Sequence, residues 1–123
     1  MHWLAVALGG SMGALCRYGL TLILPNTPGK LPLATFLANV VGSFLIGMFF
    51  VVIVEKSVLP AIWRQFAMVG FLGALTTFSS FSLESFQLLH SGHWKLALIY
   101  ATSSVLACVF AAFGGYLIFN KLI

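Results

Sequence analysis

The sequence has almost no charge. Among its 123 residues are six Lys or Arg and two acidic residues, Glu55 and Glu84, so 7% are charged against 61% hydrophobic. Soluble domains average about 25% charged residues, and a fold with a wholly water-facing surface is excluded. The mean hydropathy of +1.09 is that of a membrane protein. Cysteine is scarce as well. Cys16 and Cys108 both fall in apolar runs, where a free thiol behaves as a small apolar side chain, and no disulfide is assigned. Also missing is any polar stretch that would make a separate domain, linker or low-complexity tail, so activity must lie among helices or in short connections. That removes most enzyme classes. No ATP-binding motif and no pattern for covalent catalysis is present, no nucleic-acid partner is expected, and the chain is read as a non-enzyme.

What the sequence does contain is four long apolar runs, at 3–24, 31–54, 62–89 and 95–119. Each can cross a hydrocarbon core of about 30 Å, which takes roughly 20 helical residues. Residues 1–123 are therefore expected to form a single all-α integral membrane domain of four transmembrane helices. The first run has no positively charged stretch before it and exceeds the ~7–15 apolar residues of a signal peptide, so it is expected to be retained. Pro25, Asn26, Pro28, Gly29 and Pro32 punctuate the first connection, residues 55–60 make the second, and His90 to His93 the third. His90 and His93 are three apart but have no Cys, Asp or Glu beside them, so they are given no metal and no other role.

Orientation normally follows an excess of Lys and Arg on the cytoplasmic side. Here Lys56, Arg64 and Lys121 fall on one side, and Lys30 and Lys95 on the other. Three against two leaves two readings open: a weak bias that still decides, or insertion in both orientations with pairing to an inverted copy. Four helices also enclose little, because a four-helix bundle fills its interior with its own side chains. A transport role would need at least a dimer. Ala5, Gly9 and Gly13 on the first helix, and Ser103, Ala107, Ala111 and Gly115 on the fourth, are small-residue stripes that allow close backbone approach. Such stripes do not say whether the partner helix belongs to the same chain.

Polar groups inside the spans are few and patterned. Thr35, Asn39 and Ser43 share one face of the second helix, and Tyr100, Ser104 and Cys108 share one face of the fourth. Ser and Thr in a span commonly bond back to their own helix or join helices. Asn39 is harder to hide, since its amide carries two donor hydrogens and a carbonyl that cost free energy when unpaired. Arg17 and Glu84 are charges within spans, which makes them functional candidates. Arg17 either anchors to headgroups or attracts an anion. Glu84 pairs with Arg17, faces a watery vestibule or binds a cation. The net charge of +4 favours anions only weakly, because part of it meets lipid headgroups.

The third run contains GALTTFSSFSLE at 73–84. Gly70, Gly73, Thr76 and Thr77, followed by Ser79, Ser80 and Ser82, make a poor helix centre, because Gly is flexible and hydroxyls compete for backbone groups. A break is expected there. Broken helices within a bilayer need protein, water or an ion to satisfy the freed backbone groups, and they recur at transporter sites. Phe78 and Phe81 follow the break on one helical face. Aromatic rings have a positive edge, so rings beside Ser and Asn donors can hold a small anion weakly enough to release it.

GGSMGALCRY at 9–18, TFLANVVGSFLIG at 35–47, GFLGALTTFSSFSLE at 70–84 and the small-residue fourth helix closely resemble the Fluc (CrcB) fluoride ion channels, over essentially the whole chain. The resemblance implies a dual-topology homodimer of two antiparallel four-helix subunits in the cell (inner) membrane, with two fluoride pores formed between the subunits. It implies Asn39 on the pore wall, Phe78 and Phe81 as ring-edge ligands, and Tyr100 and Ser104 as a track on the fourth helix. Thr35, Thr77 and Ser80 would be lesser members. A central Na⁺ that is not transported would be held by backbone carbonyls matching Gly73 and Thr76 of each subunit. The implied function is passive export of fluoride down its gradient, which limits its toxicity. This sequence departs from its relatives where their hydroxyl track continues, with Cys108 and Ala112 one and two turns beyond Ser104.

Two other classes fit the plan of four spans. Small multidrug exporters resemble it in length and topology, but they carry an essential Glu in the first helix, where this chain has Arg17. A non-transporting assembly subunit would use its polar residues only as glue and would pass no ions.

Overall fold

The computed structural model describes residues 1–123 as an all-helical protein with four helices long and apolar enough to span a membrane. α1 runs His2–Ile23. α2 runs Leu33–Phe49 and continues as a π-type helix over Phe50–Glu55. α3 is π-type over Arg64–Leu72 and regular over Gly73–Leu75. α4 runs Phe78–His90 and α5 Trp94–Leu122. Together α3 and α4 make the third span, Arg64–His90.

The connections follow from Pro and Gly. α1 stops before Pro25, and α2 starts directly after Pro32, which caps it. Between them Lys30 N–H donates to the Thr27 carbonyl, with Gly29 at φ 78°. α4 ends in a Schellman arrangement: Gly92, at φ 85°, donates to Leu89, and His93 N–H donates to the Leu88 carbonyl at 2.8 Å. The π-type stretches are a finding that hydrophobic periodicity did not foretell. At the end of one, Gly73 N–H reaches the Met68 carbonyl, five residues back.

Two helix pairs carry the packing, and small residues set both. α1 lies on α3, where a Cβ on Gly9 or Gly13 would overlap the carbonyl oxygens of Phe66 or Phe71. α2 lies on α5, where Gly47 meets the Ala112 carbonyl and Gly115 meets the Phe44 carbonyl in the same way. Helix backbones in lipid gain from such approach through dispersion and Cα–H···O contacts. These glycines therefore find their partners within the chain. The bundle core is small: Ala38, Leu72 and Leu75 pack together beside the third-span discontinuity, and Leu88, Ala97 and Tyr100 join α4 to α5.

Candidate functional site

Leu75 is the last residue of α3 and Phe78 the first of α4. Between them Thr76 (φ −82°, ψ 149°) and Thr77 (φ −151°, ψ 119°) are extended. Two extended residues in mid-span free backbone groups that lipid cannot satisfy. Side chains take up several of them. The Thr76 hydroxyl donates back to the Leu72 carbonyl at 2.8 Å, and Thr77 Oγ1 accepts the Ser80 N–H at 3.2 Å as an N-cap. Asn39, on α2, closes on Thr77 from the side: its Oδ1 accepts the Thr77 N–H at 2.8 Å and its Nδ2 donates to the Thr77 carbonyl at 3.2 Å. Gly42, one turn further along α2, leaves room for the Thr76 methyl group, which a Cβ there would strike.

Arg17 reaches the same region from α1, where its Nε donates to the Ala74 carbonyl at 3.0 Å. It points inward, toward the end of α3, and does not pair with Glu84. No side-chain donor reaches the Gly73 or Thr76 carbonyl, whereas those of Ala74 and Thr77 are taken. Nor does any group of three His, Cys, Asp or Glu side chains converge in the fold.

An open groove of about 400 Å³ runs along α2, the break and α5, with Asn39, Ser43, Phe78, Phe81, Ser104 and Cys108 on its walls. Phe78 is 77% exposed in the single chain, so its ring is presented outward and is not packed as core. Phe81 stands behind it at a centroid distance of 5.5 Å, and Tyr100 behind Phe81 at 5.2 Å. The Ser104 hydroxyl is buried at the groove without a hydrogen-bond partner. A buried unpaired hydroxyl is costly, and Gln65 Oε1 and Ser85 Oγ, outside the groove, are left unpaired in the same way.

The remaining expected track residues sit differently. Thr35 donates to Glu84 Oε2 at 2.8 Å and Tyr100 donates to Glu84 Oε1 at 3.0 Å. Their donor hydrogens are spent on a carboxylate, so Thr35, Tyr100 and Glu84 form one joined cluster. Glu84 also borders a second cavity, with Lys30, Gln87 and His93, under the first and third connections. Sequence reasoning missed Lys30 and His93 as cavity residues, since loop positions carry no periodic signal. It also missed that Asn39 holds the broken backbone. An amide buried in a span does, however, signal that it must hold something.

The model of the family described as CrcB-like protein, Camphor Resistance (CrcB), matches residues 4–116. A protein of Saccharophagus degradans named fluoride-specific ion channel FluC is 49% identical over 121 residues, which cover 98% of this chain and 91% of that protein. One of the same name from Magnetococcus marinus is 44% identical over 114 residues, 92% of this chain and 93% of its own length. Another, from Coxiella burnetii, is 39% identical over 124 residues, covering 99% of this chain and 100% of that protein.

Proposed function

The chain belongs to the CrcB-like family, and from that premise we propose that it is a fluoride-specific ion channel of the cell (inner) membrane. It is a channel and not an enzyme, as its relatives' names indicate. It lets fluoride leave the cell passively down its electrochemical gradient and so limits fluoride toxicity. The observation that carries this reading is the groove at the Thr76–Thr77 discontinuity, where an exposed Phe78 ring stands in one cavity with Asn39 and the unpartnered hydroxyl of Ser104.

Each group has something to offer a small hard anion. Asn39 has two Nδ2 hydrogens, and Thr77 takes only one of them. Ser104 has a free hydroxyl. Phe78 and Phe81 present rings whose positive edges attract an anion without a full charge that would trap it. Ser80 and Thr77 lie beside this path at the start of α4. Thr35 and Tyr100 act through Glu84, keeping its carboxylate paired where the path meets the second cavity.

One chain leaves this groove open on one side. The partner is a second copy, inserted in the opposite orientation, so that each groove is closed by the other subunit and the homodimer has two pores. The near-balanced Lys and Arg distribution, three against two, supports such dual topology. At the two-fold axis, the Gly73 and Thr76 carbonyls of both subunits would hold a Na⁺, which as a hard cation supplies the charge that backbone oxygens need.

The test is efflux from liposomes containing the purified protein and loaded with fluoride, followed by a fluoride electrode. Efflux well above that of protein-free liposomes, with chloride retained, is the expected result. No efflux, or equal efflux of chloride, would sink the proposal.

A further inference from the structure

We propose that the cavity under the first and third connections is an anion-capture site in which His93, on taking up a proton, recruits fluoride to the pore mouth. The proposal rests on the channel reading above. Seven of the eleven residues around the cavity, about 460 Å³ in volume, are polar or charged. Its charged and titratable members are Lys30 from the first connection, Glu84 from α4, and His93 itself. Lys95, next to His93 in the chain, holds its ammonium 5.6 Å from the Trp94 ring, and His90 stacks on Phe86.

Hydrogen bonding assigns the His93 tautomer. Ser91 Oγ lies 2.8 Å from the Gln87 carbonyl and 3.2 Å from the Leu88 carbonyl. Its single hydrogen must go to these acceptors, since an oxygen facing two carbonyls without one would be repelled. At His93 Nδ1, 2.8 Å away, Ser91 Oγ therefore accepts, so Nδ1 carries the proton in the neutral ring. Nε2 is left as the site that gains a proton. It faces Gly29, where φ is +78° and a Cβ would come within 3.1 Å of the ring nitrogen, so glycine both makes the turn and leaves the ring its space.

The charge balance of the cavity then depends on this atom and on Glu84, the other titratable group in the lining besides Lys30. With His93 neutral and Glu84 ionised, Lys30 and Glu84 cancel. With Nε2 protonated and Glu84 ionised, the cavity carries one net positive charge and gains an N–H donor on its wall beside Gly29. His is the side chain that ordinarily makes this change between pH 5 and 8. A unit charge in a water-filled mouth raises the local concentration of a monovalent anion about twofold at roughly 8 Å. Dual topology would place one such site at each face of the membrane.

The experiment is fluoride current in planar bilayers at pH 7.5 and 5.5, in low salt and at sub-saturating fluoride, where neutral hydrofluoric acid carries no current. The current should rise about twofold on acidification, His93→Gln should abolish the rise, and His90→Gln should keep it. A current equal at both pH values, or a rise that survives His93→Gln, overturns capture at His93 and leaves the channel reading intact. Absence of all current overturns the channel reading instead. Imidazole NMR then decides the site alone: at fixed pH, added fluoride should move the His93 resonances toward their protonated position, as reciprocal linkage requires. Resonances that stay in place overturn the proposal.

Discussion

Asn39 grips the backbone of Thr77 with both ends of its amide, accepting the N–H at 2.8 Å and donating to the carbonyl at 3.2 Å. Replacing it with Ala leaves a donor and an acceptor unpaired inside a span, at about 1–3 kcal/mol each. Asn39→Ala should therefore lower the melting temperature in detergent and abolish fluoride efflux. Asn39→Asp tests the two halves of the grip separately. Its carboxylate can still accept the Thr77 N–H but cannot donate to the carbonyl, and it puts a negative charge on the anion path. It should stop efflux and melt no higher than Asn39→Ala, because an ionised oxygen then faces the Thr77 carbonyl inside the span. Wild-type efflux from either variant would remove Asn39 from the pathway.

Phe78 and Phe81 separate the roles of ligand and packing. Phe78 is exposed in the chain, whereas Phe81 is half-buried, with its ring 5.2 Å from that of Tyr100. Isoleucine keeps the apolar character and removes the ring edge. Phe78→Ile should cut efflux at least tenfold with little change in melting. Phe81→Ile should cut efflux and also destabilise the α4–α5 contact, by about 1 kcal/mol. Efflux assays and thermal melts on the same preparations check this, and undiminished efflux from both variants would refute ring-edge coordination.

The polar residues of the site were legible because each stands out in a run that should be apolar. Arg17, Asn39, Glu84 and the Thr-Thr pair are visible for that reason, as are the apolar spans themselves. What those residues bind was not legible. Asn39 and Thr77 are 38 positions apart, and Arg17 and Ala74 are 57 apart, so their pairing depends on how the spans pack. Packing also decided the glycine stripes, whose partners lie within the chain at carbonyls that no residue-type pattern identifies. The π-type turns of Arg64–Leu72 were hidden because only Arg64 and Gln65 interrupt the apolar run there, too few polar positions to betray a change of pitch. His93 was unreadable for a different reason: its surroundings come from a loop joining two other helices.

Thr35 and Tyr100 each give one hydrogen bond to Glu84, so their contributions should be coupled. Removing either donor from a carboxylate of this kind costs about 1.5–3 kcal/mol. Thr35→Val and Tyr100→Phe should each destabilise the protein. The double variant should depart from the sum of the two by at least ~0.5 kcal/mol, because both act on one partner. In a Glu84→Gln background the single effects should shrink, since an amide oxygen is a weaker acceptor than a carboxylate. Denaturation midpoints in a fixed detergent supply the cycle, and strict additivity would show that the two residues act independently.

The break offers a last test, on the cation. Arg17 takes the Ala74 carbonyl and Asn39 the Thr77 carbonyl, while no side-chain donor reaches Gly73 or Thr76 between and beside them. Backbone oxygens left this way in mid-membrane cost several kcal/mol unless something else satisfies them. If that is a Na⁺ shared by two copies, exchanging Na⁺ for a large organic cation should weaken the dimer and reduce efflux together, and restoring Na⁺ should recover both. Cross-linking yield and efflux measured across the exchange check it. Arg17→Met adds a control with the opposite logic: it frees the Ala74 carbonyl as a further oxygen ligand and removes a competing positive charge, so dimer and efflux should then survive at lower Na⁺ than in the wild type. Indifference of both proteins to the exchange would leave the carbonyls to water and remove the ion from the mechanism.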